Sequence, residues 1–114
     1  MKAKRPSWDL TRVKEIASRK GGIQLSQTRA IAFFDPPRLA YPTAAKVIAG
    51  LSEDTFCETV EQQFGEKMDI YVVIVEQANW MLKFTVWEEV PQVMVVSLHP
   101  LERPIKTKKG VRKP

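Results

Sequence analysis

Apolar residues recur at helical spacing up to Leu51 and alternate from Asp69 onward. The period switches from about 3.6 to 2, so a helical first half gives way to a stranded second half. Helices first and strands second is the α+β order, with helices packed on one face of an antiparallel sheet. Eight prolines mark the breaks, because a residue without an N–H and with fixed φ ends helices and avoids central strands.

The spacing predicts a first helix over Asp9–Lys20, capped by Asp9, with Leu10, Val13, Ile16 and Ala17 apolar and Gly21-Gly22 stopping it. A short extended piece, Ile23–Leu25, follows. Ser26 then caps a helix over Gln27–Phe34, which Asp35-Pro36-Pro37 ends. Thr43 opens a third helix, Ala44–Leu51. Phe56–Gln62 fits either a helix capped by Ser52 or a strand leading to the turn Phe64-Gly65-Glu66.

Three strands follow: Asp69–Glu76, Trp80–Trp87 and Gln92–His99. The turns Gln77-Ala78-Asn79 and Glu88-Glu89-Val90-Pro91 join them, and such short connections imply an antiparallel meander. Leu82, Phe84 and Val86, with Met94, Val96 and Leu98, are the candidates to meet the helices. That leaves Met81, Lys83, Thr85, Ser97 and His99 on an opposite, partly open face. A one-residue slip of register would reverse this assignment.

With 114 residues, the chain holds one domain, here expected over 1–105 with a basic tail over 106–114 that has almost nothing to bury. No run reaches the ~18 apolar residues of a membrane span, and the first residues lack the apolar stretch of a secretory signal. One cysteine and one histidine exclude a disulfide framework and a multi-cysteine zinc site. These features fit a cytoplasmic protein without a metal or other cofactor.

Charge is unevenly spread. Residues 1–20 carry seven Lys/Arg against two acids, and 101–114 carry six against one, while 21–100 carry five against ten. Basic ends can neutralise phosphates and release counterions. They can equally serve only to keep a small protein soluble.

Several segments together resemble the motility quorum-sensing regulator (MqsR) toxins. They are Leu10–Ile16, the Thr28-Arg29 helix start, Val47-Ile48-Ala49-Gly50-Leu51-Ser52, Phe56, Asp69-Ile70-Tyr71, Leu82-Lys83-Phe84-Thr85-Val86 and Val95-Val96-Ser97-Leu98. Their order and spacing, from Trp8 to about His99, carry the likeness. The resemblance implies a RelE-like toxin fold and a type II toxin–antitoxin system. It implies a metal-independent messenger-RNA endoribonuclease that inhibits translation and growth. It also implies a cognate antitoxin with a zinc-binding part and a helix-turn-helix part. RNA is the expected second partner and the ribosome a third, with no membrane.

The family's active residues are replaced in this chain. Its catalytic lysine falls on Glu58, its glutamine on Met68, its tyrosine on Met81 and its late lysine on His99. Thr55 stands where the family has Asp before Phe, and Val72–Val75 where it tends to Arg and Pro. Metal-free RNA cleavage needs a base for the 2′-OH, a cation for the phosphate and an acid for the leaving 5′ oxygen. More distant RelE-type relatives use a glutamate and a C-terminal histidine. By that resemblance Glu58 is the base and His99 the acid, with Lys83 or Arg103 holding the phosphate. Arg103, Lys106, Lys108 and Lys109 would bind RNA.

Plainer readings stand beside each. His99 ends a strand before Pro100, as surface histidines do. Glu58 lies in an acidic run that a solvated face would explain, and Lys83 fits a residue that protects a sheet face. Trp8, Trp80 and Trp87 serve either packing or base stacking. Cys57 reads as a small packed side chain rather than a nucleophile. The functional alternative is a catalytically inactive MqsR-like protein that binds an antitoxin-like regulator, RNA or the ribosome. An unrelated basic nucleic-acid-binding module is the third reading.

Overall fold

The computed structural model describes residues 5–62 and 65–114. Phe64, in the turn expected before the meander, and Lys2 and Lys4 of the basic N-terminal run lie outside the described residues. The architecture is α+β: two helices pack against one face of a five-stranded sheet.

Helix α1 spans Leu10–Ala17, three residues shorter at its end than its apolar spacing predicts. Asp9 caps it by accepting the Arg12 N–H at 3.1 Å. Val13 and Ile16 are its buried positions. Gly21 adopts a left-handed φ of 73°. Gly22 lies so close to the helix end that an added Cβ would sit 1.9 Å from the Ile16 carbonyl oxygen. The chain therefore turns at once into strand β1, Ile23–Leu25.

Residues 27–34 do not form the expected helix. Ser26 does accept the Arg29 N–H through its hydroxyl at 3.2 Å, but only a 3₁₀ turn follows, at Ile31–Phe33. The Arg29 carbonyl, which a helix would use internally, instead accepts the N–H of Leu98 at 2.9 Å. A tertiary bond to the sheet thus displaces the local one.

Helix α2 spans Ala40–Ala49 and begins four residues before the predicted Ala44. Pro42 falls in its first turn, where the missing N–H has no helical acceptor to lose. Ala40, Ala44 and Ile48 are fully buried at i, i+4 and i+8, and the small alanines let the helix approach closely.

The ambiguous segment after Leu51 is strand β2, Phe56–Glu61. It is followed by β3 (Lys67–Val75), β4 (Ala78–Trp87) and β5 (Gln92–Pro100). The order is β1-β5-β4-β3-β2. Strands β2 to β5 form the antiparallel meander, and β1 adds to β5 in parallel. The turn between β3 and β4 is Glu76-Gln77, with φ of 48° and 69°. Two successive positive φ values match the right-handed twist of the flanking strands.

The core contains Leu82, Phe84, Val86 and Leu98 as expected, but in β5 before Leu98 it takes Val93 and Val95. Met94 and Val96 are only half-buried. A bulge causes the difference: Lys83 pairs with Ser97, but Phe84 pairs with Val95, leaving Val96 as an extra residue. The inward positions change parity across it.

The opposite face is also less open than expected. Thr85, Ser97 and His99 are all buried. Residues 106–114, expected to trail as a basic tail, continue into a hairpin of β6 (Ile105–Thr107) and β7 (Gly110–Arg112). Its turn donates the Lys108 and Lys109 N–H groups to the carbonyls of Phe56 and Asp54, at 3.2 and 3.1 Å. Thr107 is buried within it, and its hydroxyl donates to the Gly110 carbonyl. The apolar content of 106–114 is low, and backbone and hydroxyl hydrogen bonds replace it as the means of attachment. No helix among the described residues is long and apolar enough to cross a membrane.

Candidate functional site

A groove of about 1040 Å³ runs over the sheet face that the helices leave free. Its floor is Ile70 and Met81. Glu58 and Cys57 stand along one side and His99 along the other, with Arg29, Leu101 and residues 102–108 completing the walls.

A second bulge directs Glu58 here. Phe56 pairs with Tyr71 on the core side, Cys57 is the extra residue, and Glu58 then pairs with Ile70 on the opposite face. Simple alternation would have put Glu58 on the same side as Phe56. Register does the rest: Glu58, Ile70, Lys83 and Ser97 form one cross-strand row, and Val72, Met81 and His99 form the next.

Glu58 and His99 therefore share a groove without touching. Their strands are separated by β3 and β4, so the backbones lie about 14 Å apart at the usual strand spacing.

His99 is 4% exposed and held on three sides. Its Nδ1 is 2.9 Å from the Pro100 carbonyl, which only accepts, so Nδ1 carries the proton. Its Nε2 then presents a lone pair, and a guanidinium nitrogen of Arg29 lies 3.5 Å from it, a long contact. The Phe33 ring packs 5.2 Å from the imidazole, centroid to centroid. The expectation of a plain surface histidine fails here, because the Arg29–Leu98 backbone bond draws 29–33 over this side chain.

The groove carries four cations, Arg29, Arg103, Lys106 and Lys108, against Glu58 and Glu102. Three of the four belong to the C-terminal segment. Among the described residues, none of the N-terminal cations lines it, and Arg12 and Arg19 both pair with Glu15, at 3.1 and 2.6 Å. Lys108 also reaches Glu53 at 3.7 Å.

Two expected site residues fall outside the lining. Lys83 stands in the Glu58 row, but Ile70 lies between them and Lys83 does not border the groove. Lys109 sits in the β6–β7 turn, where its backbone contacts Asp54. Arg29 is the residue that sequence reasoning undervalued. The available signal was that Arg29 is one of only five cations in the acidic middle, but only the tertiary fold brings it to His99.

Behind the groove, Asp69 is fully buried and faces the helices. It accepts from the N–H groups of Ser7 and Trp8, both at 2.9 Å, and from the Thr59 hydroxyl at 2.6 Å. These bonds tie the N-terminal segment to the two strands beneath Glu58 and Ile70. Tyr71 stacks on Phe84 and meets Phe56 edge-on, and burial pushes its phenol well above the ordinary value, with the charges of Asp69 and Glu53 adding to the shift. Among the described residues, no three His, Cys, Asp or Glu side chains gather closely enough to hold a metal ion.

No protein-family model and no curated protein sequence matches the chain.

Proposed function

We propose that this chain cleaves single-stranded messenger RNA as the toxin of a type II toxin–antitoxin pair, in the class of the MqsR and RelE-like ribonucleases. The observation that carries the reading is a single cationic groove flanked by Glu58 and His99. The cations hold a phosphodiester across the floor of Ile70 and Met81. Glu58 takes the proton of the 2′-OH, and the 2′ oxygen attacks phosphorus. The bond from phosphorus to the 5′ oxygen breaks, and His99 gives that oxygen a proton. The products are a 2′,3′-cyclic phosphate and a 5′-OH.

His99 must carry a proton on Nε2 to act as the acid. Two donors cannot face each other there, so Arg29 then leaves the imidazole for the phosphate. This makes Arg29 the clamp in place of Lys83, with Arg103 beside it. A guanidinium suits that role because its fork matches phosphate oxygens. The acidic run from Glu53 to Glu66 repels RNA, so the strand is gripped from the C-terminal side. A zinc-binding, helix-turn-helix antitoxin, the ribosome as a further partner and a cytoplasmic setting belong to the same reading.

A second reading is a non-catalytic relative that binds an antitoxin-like regulator, RNA or the ribosome. Met68 and Met81 favour it, since they stand where the family's glutamine and tyrosine would. Induced expression separates the two. Growth arrest with shortened transcripts, abolished by Glu58→Gln and by His99→Ala, supports the enzyme. Normal growth with intact transcripts overturns it in favour of the binding protein.

A further inference from the structure

We propose that an RNA strand lying in the His99 groove continues past Phe33, and that one unpaired base stacks on the exposed Phe33 ring at the mouth of a second, aromatic cleft. This rests on the RNA-cleaving reading above and adds a subsite to it.

The second cleft, of about 730 Å³, lies between α2 and the end of the β3–β4 hairpin. Phe33, Phe34 and Trp80 line it, together with the cations Lys46 and Arg112 and, on the same lining, the acids Asp35 and Glu76. Two contacts join it to the first groove. Phe33 lines the cleft, and its ring lies 5.2 Å from the imidazole of His99, which lines the groove. On the other side, Ile105 of the groove pairs across the hairpin with Arg112 of the cleft.

Phe33 is 43% exposed, which is unusual for a phenylalanine held this firmly. Its turn is fixed by Ser26 and by the Arg29–Leu98 bond, so the ring is held in place without being buried. Behind it, Phe34 and Trp80 pack against each other at 5.2 Å. Aromatic rings beside cations, continuous with a cationic groove, are the combination that grips a single strand without reading its sequence.

The test uses the full chain and a labelled 2′-O-methyl hexanucleotide, which has no free 2′-OH to react. Binding is followed by fluorescence anisotropy over a salt series. Phe33→Ala is expected to weaken binding about tenfold, and Phe33→Trp to restore it. The salt slope stays unchanged, because no cation is removed. An oligonucleotide lacking the stacked base binds wild type and Phe33→Ala equally. Because the Phe33 ring also packs on His99, Phe33→Leu is measured beside it: it keeps an apolar side chain against the imidazole but offers no ring for stacking, and it is expected to weaken binding as much as Phe33→Ala does. Wild-type affinity in Phe33→Ala overturns the subsite alone. So does intact RNA binding with loss of a protein partner, which would assign the cleft to that partner. No binding of single-stranded RNA by the wild-type chain overturns the RNA reading itself, and the subsite with it.

Discussion

A guanidinium nitrogen of Arg29 lies 3.5 Å from Nε2 of His99, across 70 residues of sequence. With Nδ1 committed to the Pro100 carbonyl, Nε2 is the imidazole nitrogen left to face Arg29, and on the proposed mechanism it is the one that exchanges the proton. Arg29→Ala is expected to lower kcat for RNA cleavage by about 10²–10³-fold, the usual loss when one donor to a developing oxyanion is removed. KM should change far less, because Arg103, Lys106 and Lys108 still hold the strand. Arg29→Lys should recover part of the loss. Steady-state kinetics on a short RNA separate the two constants.

On the RNA-binding reading proposed above, the C-terminal cations make binding salt-dependent. Each phosphate contact removed from a single strand reduces the slope of log affinity against log salt by about 0.7. Arg103→Ala with Lys106→Ala should therefore flatten it by about 1.4. Lys83→Ala should leave the slope unchanged, since that side chain does not border the groove. Anisotropy titrations from low to high salt measure this.

Asp69 accepts three hydrogen bonds while fully buried. Asp69→Ala leaves two N–H groups and a hydroxyl without their acceptor. The expected cost is about 3 kcal/mol, or a thermal midpoint lowered by about 10–15 °C. Asp69→Asn keeps the shape, but its amide nitrogen faces donors, so it should recover only part. Calorimetry checks both.

Tyr71 is fully buried, and its hydroxyl has no hydrogen-bond partner. In the folded chain its phenol holds its proton above the ordinary 10.0. The unfolded chain loses that proton first as pH rises. Stability is therefore fully present below about pH 10 and falls above it. Tyr71→Phe should abolish that alkaline decline and leave neutral-pH stability equal or higher by about 1 kcal/mol. Urea titrations at pH 7 and in alkaline buffer supply the comparison.

Hydrophobic periodicity made the α+β class and the β4 core face legible, because Leu82, Phe84 and Val86 alternate without interruption. Of the β5 core face, only Leu98 was legible. The residues of β5 alternate just as well, but the bulge at Val96 comes from pairing with β4, and one strand's pattern cannot reveal it. Glu58 reached the groove for the same kind of reason, through the bulge at Cys57. The 27–34 segment has helical spacing and a sound cap, yet the sheet takes its Arg29 carbonyl. Arg29, the groove's least expected member, follows from that bond. The C-terminal hairpin escaped notice because backbone hydrogen bonds hold it, and side-chain hydropathy carries no record of those.

Incubation of the purified chain with a short single-stranded RNA in EDTA, followed by analysis of the product ends, tests the central claim most directly. Fragments ending in a 2′,3′-cyclic phosphate and a 5′-OH, lost in Glu58→Gln and His99→Ala variants that still bind the RNA, are the expected result. RNA left intact by the wild-type chain, or cut equally well by both variants, contradicts the claim that Glu58 and His99 form a cleaving pair.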